Sequence, residues 1–181
     1  LDEQSAIPEA PQPLRLPRVR GEVVFDHVTF SYNGDEEVLR DLSFSVHPSE
    51  AVAIVGFTGA GKTTITSLLT RMYDIQAGSI KIDGIDIRDV ALDDLRSRVQ
   101  AVLQDVFLFS GSIADNIRLG SDIPLSKVKE AARLVHADGF IEALPKGYDT
   151  ILNERGANLS TGQRQLLSFA RVLAHDPDII V

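Results

Sequence analysis

The segment Gly56-Phe57-Thr58-Gly59-Ala60-Gly61-Lys62-Thr63 constrains this chain more than any other. It matches the pattern G-x-x-x-x-G-K-[ST] and sits between two stretches of different texture. Before it, Ala51-Val52-Ala53-Ile54-Val55 is an uninterrupted apolar run, as expected of a strand buried on both faces. After it, Ile65, Leu68, Leu69 and Met72 recur at i, i+3, i+4 and i+7, one face of an amphipathic helix. Strand, glycine-rich loop and helix in that order make an anion cradle. The glycines let the backbone curl until successive amides point inward, and the helix adds its positive end. Gly56, Thr58, Gly59, Ala60, Gly61, Lys62, Thr63 and Thr64 are therefore the candidate phosphate-binding residues. Lys62 supplies a full cation for the β- and γ-phosphates. The Thr63 hydroxyl suits Mg²⁺, which prefers hard oxygen ligands.

Bulk composition narrows the setting of that loop. With 181 residues, 44% apolar and 24% charged, the chain has the makeup of an ordinary globular domain with a sizeable core. No run of about 18 apolar residues is present, the length a membrane-spanning helix needs. No basic segment followed by an apolar stretch opens the chain as a signal peptide would. Zero cysteines exclude disulfides and thiolate metal sites. A net charge of −8 argues against nucleic acid as a partner, because phosphate backbones are met by basic footprints.

Along the chain, residues 1–20 carry Pro8, Pro11, Pro13 and Pro17 among small and charged residues, which reads as an extended linker. From Glu22 to Tyr32 the pattern is β-rich (Val23, Phe25, Val28, Phe30), then Asn33-Gly34-Asp35 signals a turn. Val38 to Val46 resumes a strand that Pro48 ends. Ser79 to Ile87 reads as a strand pair, residues 92–98 as a helix, and Val99 to Leu103 as an apolar strand. Helical texture runs from Ile113 to Leu144, broken near Pro124 and Gly139. A last helix covers Ser160 to Ala174, with Leu166, Ala170 and Leu173 inward, and Asp176-Pro177 stops it. Asp178 to Val181 begins another apolar strand.

The last helix opens on Leu159-Ser160-Thr161-Gly162-Gln163. Ser160 fits an N-cap and Gln163, three residues on, completes a capping box, together stabilising the helix start by about 1 kcal/mol. Taken with the phosphate loop, however, this segment resembles the signature sequence of the ABC transporter ATPases, commonly L-S-G-G-Q. Tyr32 falls where that family carries an aromatic that stacks on adenine. Gln104, after Val99–Leu103, is similar to the family's Q-loop glutamine, near Mg²⁺ and the attacking water. Phe107-Leu108-Phe109-Ser110-Gly111-Ser112-Ile113 and Glu154-Arg155-Gly156 resemble the exporter subfamily, in which the second loop touches the coupling helices of a transmembrane domain. The resemblance covers about residues 21–181.

It implies an α/β fold: a P-loop NTPase (RecA-like) core with an N-terminal antiparallel β subdomain and an α-helical signature subdomain, with residues 1–20 as a linker after a transmembrane domain. It implies ATP and Mg²⁺ as cofactors, Lys62 and Gln104 as catalytic residues, and Thr63 and Gln104 on the metal. It also implies a second ABC nucleotide-binding domain as partner, either identical or different, with Ser160, Gly162 and Gln163 facing that partner's ATP. The whole would work at the cytoplasmic face of the membrane. Two residues depart from the pattern: Phe57 stands where exporters more often have proline, and Thr161 replaces a glycine. Asp178-Ile179-Ile180-Val181 resembles the start of the Walker B strand, which the family continues with an Mg²⁺-binding aspartate and a catalytic glutamate. Neither carboxylate is among the 181 residues, so the fragment is expected to bind ATP and barely hydrolyse it, since a general base contributes about 10²–10⁴ in rate. Two other functions fit the motifs: a soluble ABC ATPase of DNA repair or translation, and a regulatory module that binds nucleotide without hydrolysis.

Overall fold

Alternation in the first β-rich stretch slips by one residue, and the slip decides the shape of the N-terminal sheet. Val23 and Phe25 are buried, Asp26 and His27 are both exposed, and Val28 and Phe30 are buried again. In the computed structural model, which describes residues 7–34, 36–102, 106–153 and 156–181, β1 (Val23–Phe30) absorbs the extra residue as a bulge. Its ladders to β2 (Leu39–Val46) and β3 (Ala77–Ile82) both shift register there. The bulge keeps both apolar pairs on the core face. A short β4 (Ile85–Asp86) follows β3 through a turn at Asp83-Gly84, both left-handed, and completes an antiparallel sheet of order β2-β1-β3-β4. Phe25 and Phe44 stack across β1 and β2 at 4.6 Å.

Two residues at the bulge can be tested directly. Gly78 has φ 84°, and a Cβ there would overlap the carbonyl oxygens of His27 and Asp26. Gly78→Ala is expected to destabilise the protein by about 3 kcal/mol through backbone strain and overpacking, and an unchanged urea midpoint would contradict this. Beside it, His27 and Asp41, both left-handed, bring Nδ1 and Oδ1 within 2.6 Å. That hydrogen bond, then the charges of Asp41 and Asp26, raise the His27 imidazole above its ordinary value of 6.5. A raised native pKa favours folding where the ring is protonated. The contribution is therefore full below 6.5 and fades as pH rises through the native value. Melting curves across that range should be flatter for His27→Gln; matching slopes would refute the pairing.

The expected strand at Ala51–Val55 does not form. The segment has no regular structure and is unpaired among the described residues, and Val52, Ile54 and Val55 are exposed, the last by 88%. An apolar run becomes a buried strand only when neighbouring strands take its amides, and among the described residues none does. The helix after the loop, α1 (Lys62–Leu69), buries Ile65, Leu68 and Leu69 as its spacing predicts. Met72 departs from that face and is half exposed, because α1 ends at Leu69 and Arg71 turns left-handed (φ 48°).

Arg71 is only 2% exposed. Its Nε and Nη2 donate to Asp74 at 2.8 and 3.3 Å, Nη1 to the carbonyls of Ile87 and Arg88 at 3.4 and 3.2 Å, and Nη2 to that of Pro8 at 2.8 Å. Arg96 adds bonds to the carbonyls of Thr70 and Arg71, satisfying the end of α1. The Pro8 contact is one of several made by the N-terminal residues. Residues 8–20 have no regular structure apart from one bridge at Leu14, and they dock against other elements. Leu14 bridges Val90 in parallel, with bonds to Asp89 and from Ala91. The Leu16 amide donates to Asp94, and those of Arg20 and Glu22 to Asp83. Leu16 and Val19 are buried. The prolines supply no amides for a regular ladder, and the amides of Leu16 and Arg20 find carboxylates on other elements instead.

Helix α2 (Leu92–Arg98) and β5 (Val99–Gln100) close this first unit, which comprises residues up to 100 with Val181. The second unit, residues 101–180, is mainly helical. It contains β6 (Gly111–Ser112), α3 (Ile113–Arg118), α4 (Leu125–Leu134), α5 (Asp138–Glu142), β7 (Ile151–Leu152), α6 (Thr161–Ala174) and β8 (Ile179–Ile180). Pro124 caps α4, in line with the break expected there. The second break falls at 135–137, and Gly139 lies inside α5. Ile113, Ile117, Val128, Ile141, Leu152 and Leu167 make one buried cluster. On α6 the inward face centres on Leu167 and Ala170, with Leu166 and Leu173 only partly buried at its flanks, one residue away from the expected phase. Among the described residues no helix is long and apolar enough to cross a membrane.

Candidate nucleotide site

The phosphate loop is built from glycine geometry. Gly59 and Gly61 lie in the left-handed region, φ 84° and 78°, where other residues are strained. Gly61 is also the N-cap of α1 and lies so close to β2 that a Cβ would sit 2.7 Å from Leu39 Cδ2. Only glycine satisfies both demands. The Ala60 amide donates to the Phe57 carbonyl at 3.1 Å, closing a turn. Lys62 Nζ reaches back across the loop to the carbonyls of Gly56 and Phe57 at 2.8 and 2.7 Å. Two of its three donors thus brace the loop, leaving one to meet an anion.

No side chain caps α1. Its first amides, Lys62, Thr63 and Thr64, have no partner among the described residues. Unpaired donors, a helix end and a cation converge there, which is what a phosphate chain requires. Thr63 is exposed at the same end. Among the described residues no three His, Cys, Asp or Glu side chains gather as a metal site.

Tyr32 stands beside this loop. Its hydroxyl lies 3.0 Å from that of Thr64, a buried residue in the first turn of α1. Phe30 meets its ring edge-on at 4.9 Å, and Tyr73 does the same at 5.1 Å. About half of Tyr32 (48%) remains exposed, so an aromatic surface is open next to the phosphate cradle. Tyr73 carries no signal in the sequence; it follows the left-handed Arg71, and only the chain reversal there returns it to Tyr32.

In the second unit the capping box at the start of α6 forms as its spacing predicts. The Gln163 amide donates to Ser160 Oγ at 3.2 Å, and the Ser160 amide to Gln163 Oε1 at 2.9 Å. Thr161 and Gly162 are exposed at this helix end, while Leu159 is buried beneath it. Arg171, further along α6, donates to the carbonyls of Asn116 and Phe107. Asn116, 3% exposed, fastens Phe109 through both its amide and carbonyl. These two residues tie the Phe107–Ile113 segment to α6. A second capping box, Ser112 with Asp115, starts α3; its S-x-x-D spacing is the one signal in the sequence that could have found it. Gln104, Glu154 and Arg155 lie outside the described residues. Gly156 is left-handed, and a Cβ on it would come within 2.7 Å of Leu108.

A glycine-rich loop feeding a helix, beside an antiparallel sheet in a mixed α/β chain, defines a P-loop ATPase fold. A model of the ABC transporter family matches residues 39–181, and the chain belongs to that family. It is 48% identical over 182 aligned positions to the ABC transporter ATP-binding protein YknV of Bacillus subtilis, covering 100% of this chain and 30% of that one. The fatty acid ABC transporter ATP-binding/permease protein of Mycobacterium bovis is 45% identical, with 100% of this chain and 28% of that protein covered. A bacterial Atm1-family ABC exporter solved with ATP bound superposes with a TM-score of 0.91 at 43% identity, over 96% of this chain and 31% of that one. The chain therefore spans under a third of these relatives.

Proposed function

We propose that this chain binds MgATP as the nucleotide-binding part of an exporter and drives transport by nucleotide-dependent pairing with a second such domain. The observation that carries the reading is the convergence at α1: a glycine N-cap without a side chain, unpaired amides and the Lys62 ammonium. Gly56 and Thr58 to Thr64 would hold the phosphates, and the exposed face of Tyr32 would take the adenine. Bound Mg²⁺ would neutralise phosphate charge, with Thr63 and Gln104 offering it oxygens. Gln104 would also orient water. Catalysis of this type is mostly positioning and charge stabilisation.

Ser160, Gly162 and Gln163 would present the open start of α6 to nucleotide held by a partner domain, because a helix N-terminus favours an anion. Names of relatives that join ATP-binding and permease parts, and the likeness to an ABC exporter, support coupling helices of a membrane domain as the other partner. They support a membrane as the place of work, and we place this domain at its cytoplasmic face.

Sedimentation of the purified protein tests the pairing. MgATP should shift the parent from monomer to dimer mass, and Ser160→Arg, which sets a bulky cation at the helix start, should abolish the shift. A parent that stays monomeric at saturating MgATP would remove the basis for the sandwich.

A further inference from the structure

Among the exposed aromatic rings of the first unit, Tyr73 has no role in the reading above, and we propose that it is a positioning residue that fixes the orientation of Tyr32 for the nucleobase. This rests on Tyr32 being the base-facing ring. Three contacts define how Tyr32 is held. Phe30, 1% exposed, lies edge-on beneath it at 4.9 Å and 83°. Tyr73 lies edge-on at 5.1 Å and 87°. Thr64 takes the hydroxyl at 3.0 Å. Phe30 is immobile in the core and Thr64 restrains only the tip of the ring. Tyr73 is therefore the contact that stops the half-exposed ring from swinging about its remaining torsion.

Tyr73, itself 46% exposed, is placed by ring contacts and by its neighbours in the chain. It contacts Phe30 at 5.8 Å, so the three rings form a closed triangle. It sits between Arg71, whose left-handed backbone and buried guanidinium set the direction of the chain, and Asp74, which takes that guanidinium. A stacking surface binds a flat ligand best when it is oriented beforehand, because the ordering cost is then already met within the protein. Edge-to-face pairs of this kind contribute enough to change an affinity by about two- to tenfold.

The test compares two probes by calorimetry, MgATP and magnesium tripolyphosphate, which carries the charge without the base. Tyr73→Leu should weaken MgATP about fivefold and leave tripolyphosphate unchanged. Tyr73→Phe, which keeps the ring, should match the parent. Tyr32→Ala should weaken MgATP selectively, and adding Tyr73→Leu to it should cost nothing more. Equal weakening of both probes by Tyr73→Leu, or no weakening, overturns the proposal, as do additive losses in the double variant. If Tyr32→Ala leaves MgATP affinity intact, the base-facing reading of Tyr32 falls and this proposal with it. A selective Tyr32→Ala loss that Tyr73→Leu does not share overturns the proposal alone.

Discussion

Lys62→Ala is expected to lower MgATP affinity by about 10- to 100-fold, the span expected for losing a hydrogen bond to a charged group. The substitution acts twice. It removes the donor left over to meet phosphate, and it releases the two bonds by which Nζ braces the carbonyls of Gly56 and Phe57. Lys62→Arg should not restore binding, because a planar guanidinium cannot occupy the tight turn that a single ammonium spans. Calorimetric titration measures both variants. Affinity within twofold of the parent for Lys62→Ala would refute the phosphate reading of the loop, whatever the fold resembles.

Arg71→Ala should produce the largest loss of stability, about 3–5 kcal/mol, the range for breaking a buried charge pair by removing one partner. The guanidinium is 2% exposed, whereas Asp74 is 29% exposed at its side chain, so part of the penalty on the orphaned carboxylate is screened by water. The carbonyls of Pro8, Ile87 and Arg88 lose a donor together, and of these bonds the one to Ile87 is buried. Arg71→Lys should recover less than half, since one ammonium cannot reach three directions. Urea unfolding followed by circular dichroism gives the magnitude. Trypsin cleavage at Arg15, Arg18 and Arg20 should accelerate in step, because the strap is held at Pro8 by this side chain. A variant as stable as the parent, with its strap still protected, would mean that the clamp contributes nothing.

Much of the candidate site is legible in the order of the residues. The loop from Gly56 to Thr63 announces itself because the chemistry is carried by consecutive residues: glycines in left-handed positions, a lysine, a hydroxyl. The capping box of Ser160 and Gln163 is equally local, three residues apart. β1 and β2 are readable because β1 alternates on either side of the bulge at Asp26–His27, where the pattern slips by one residue, and β2 alternates along most of its length. What escapes such a reading is non-local. Tyr73 reaches Tyr32 only because Arg71 reverses the chain, and nothing in the spacing of 32 and 73 reports that. Proline-rich residues 8–20 look like a linker since their partners, Asp83, Asp89 and Asp94, lie far along the chain. At Ala51–Val55 the mismatch runs the other way. An apolar run states that a segment should be buried, but only neighbouring strands make it so.

Sequence by itself determined the candidate anion cradle and the two helix starts, each from residues within one or two turns of one another, and the family, from two such local motifs about one hundred residues apart. Tertiary structure alone decided that the N-terminal strap is docked, that Arg71 is the hub of its attachment, and that Phe30, Tyr32 and Tyr73 close into one cluster beside the candidate nucleotide site. The physical reason is that backbone geometry and capping are local preferences, whereas burial and ring contacts depend on which distant segments come to lie alongside.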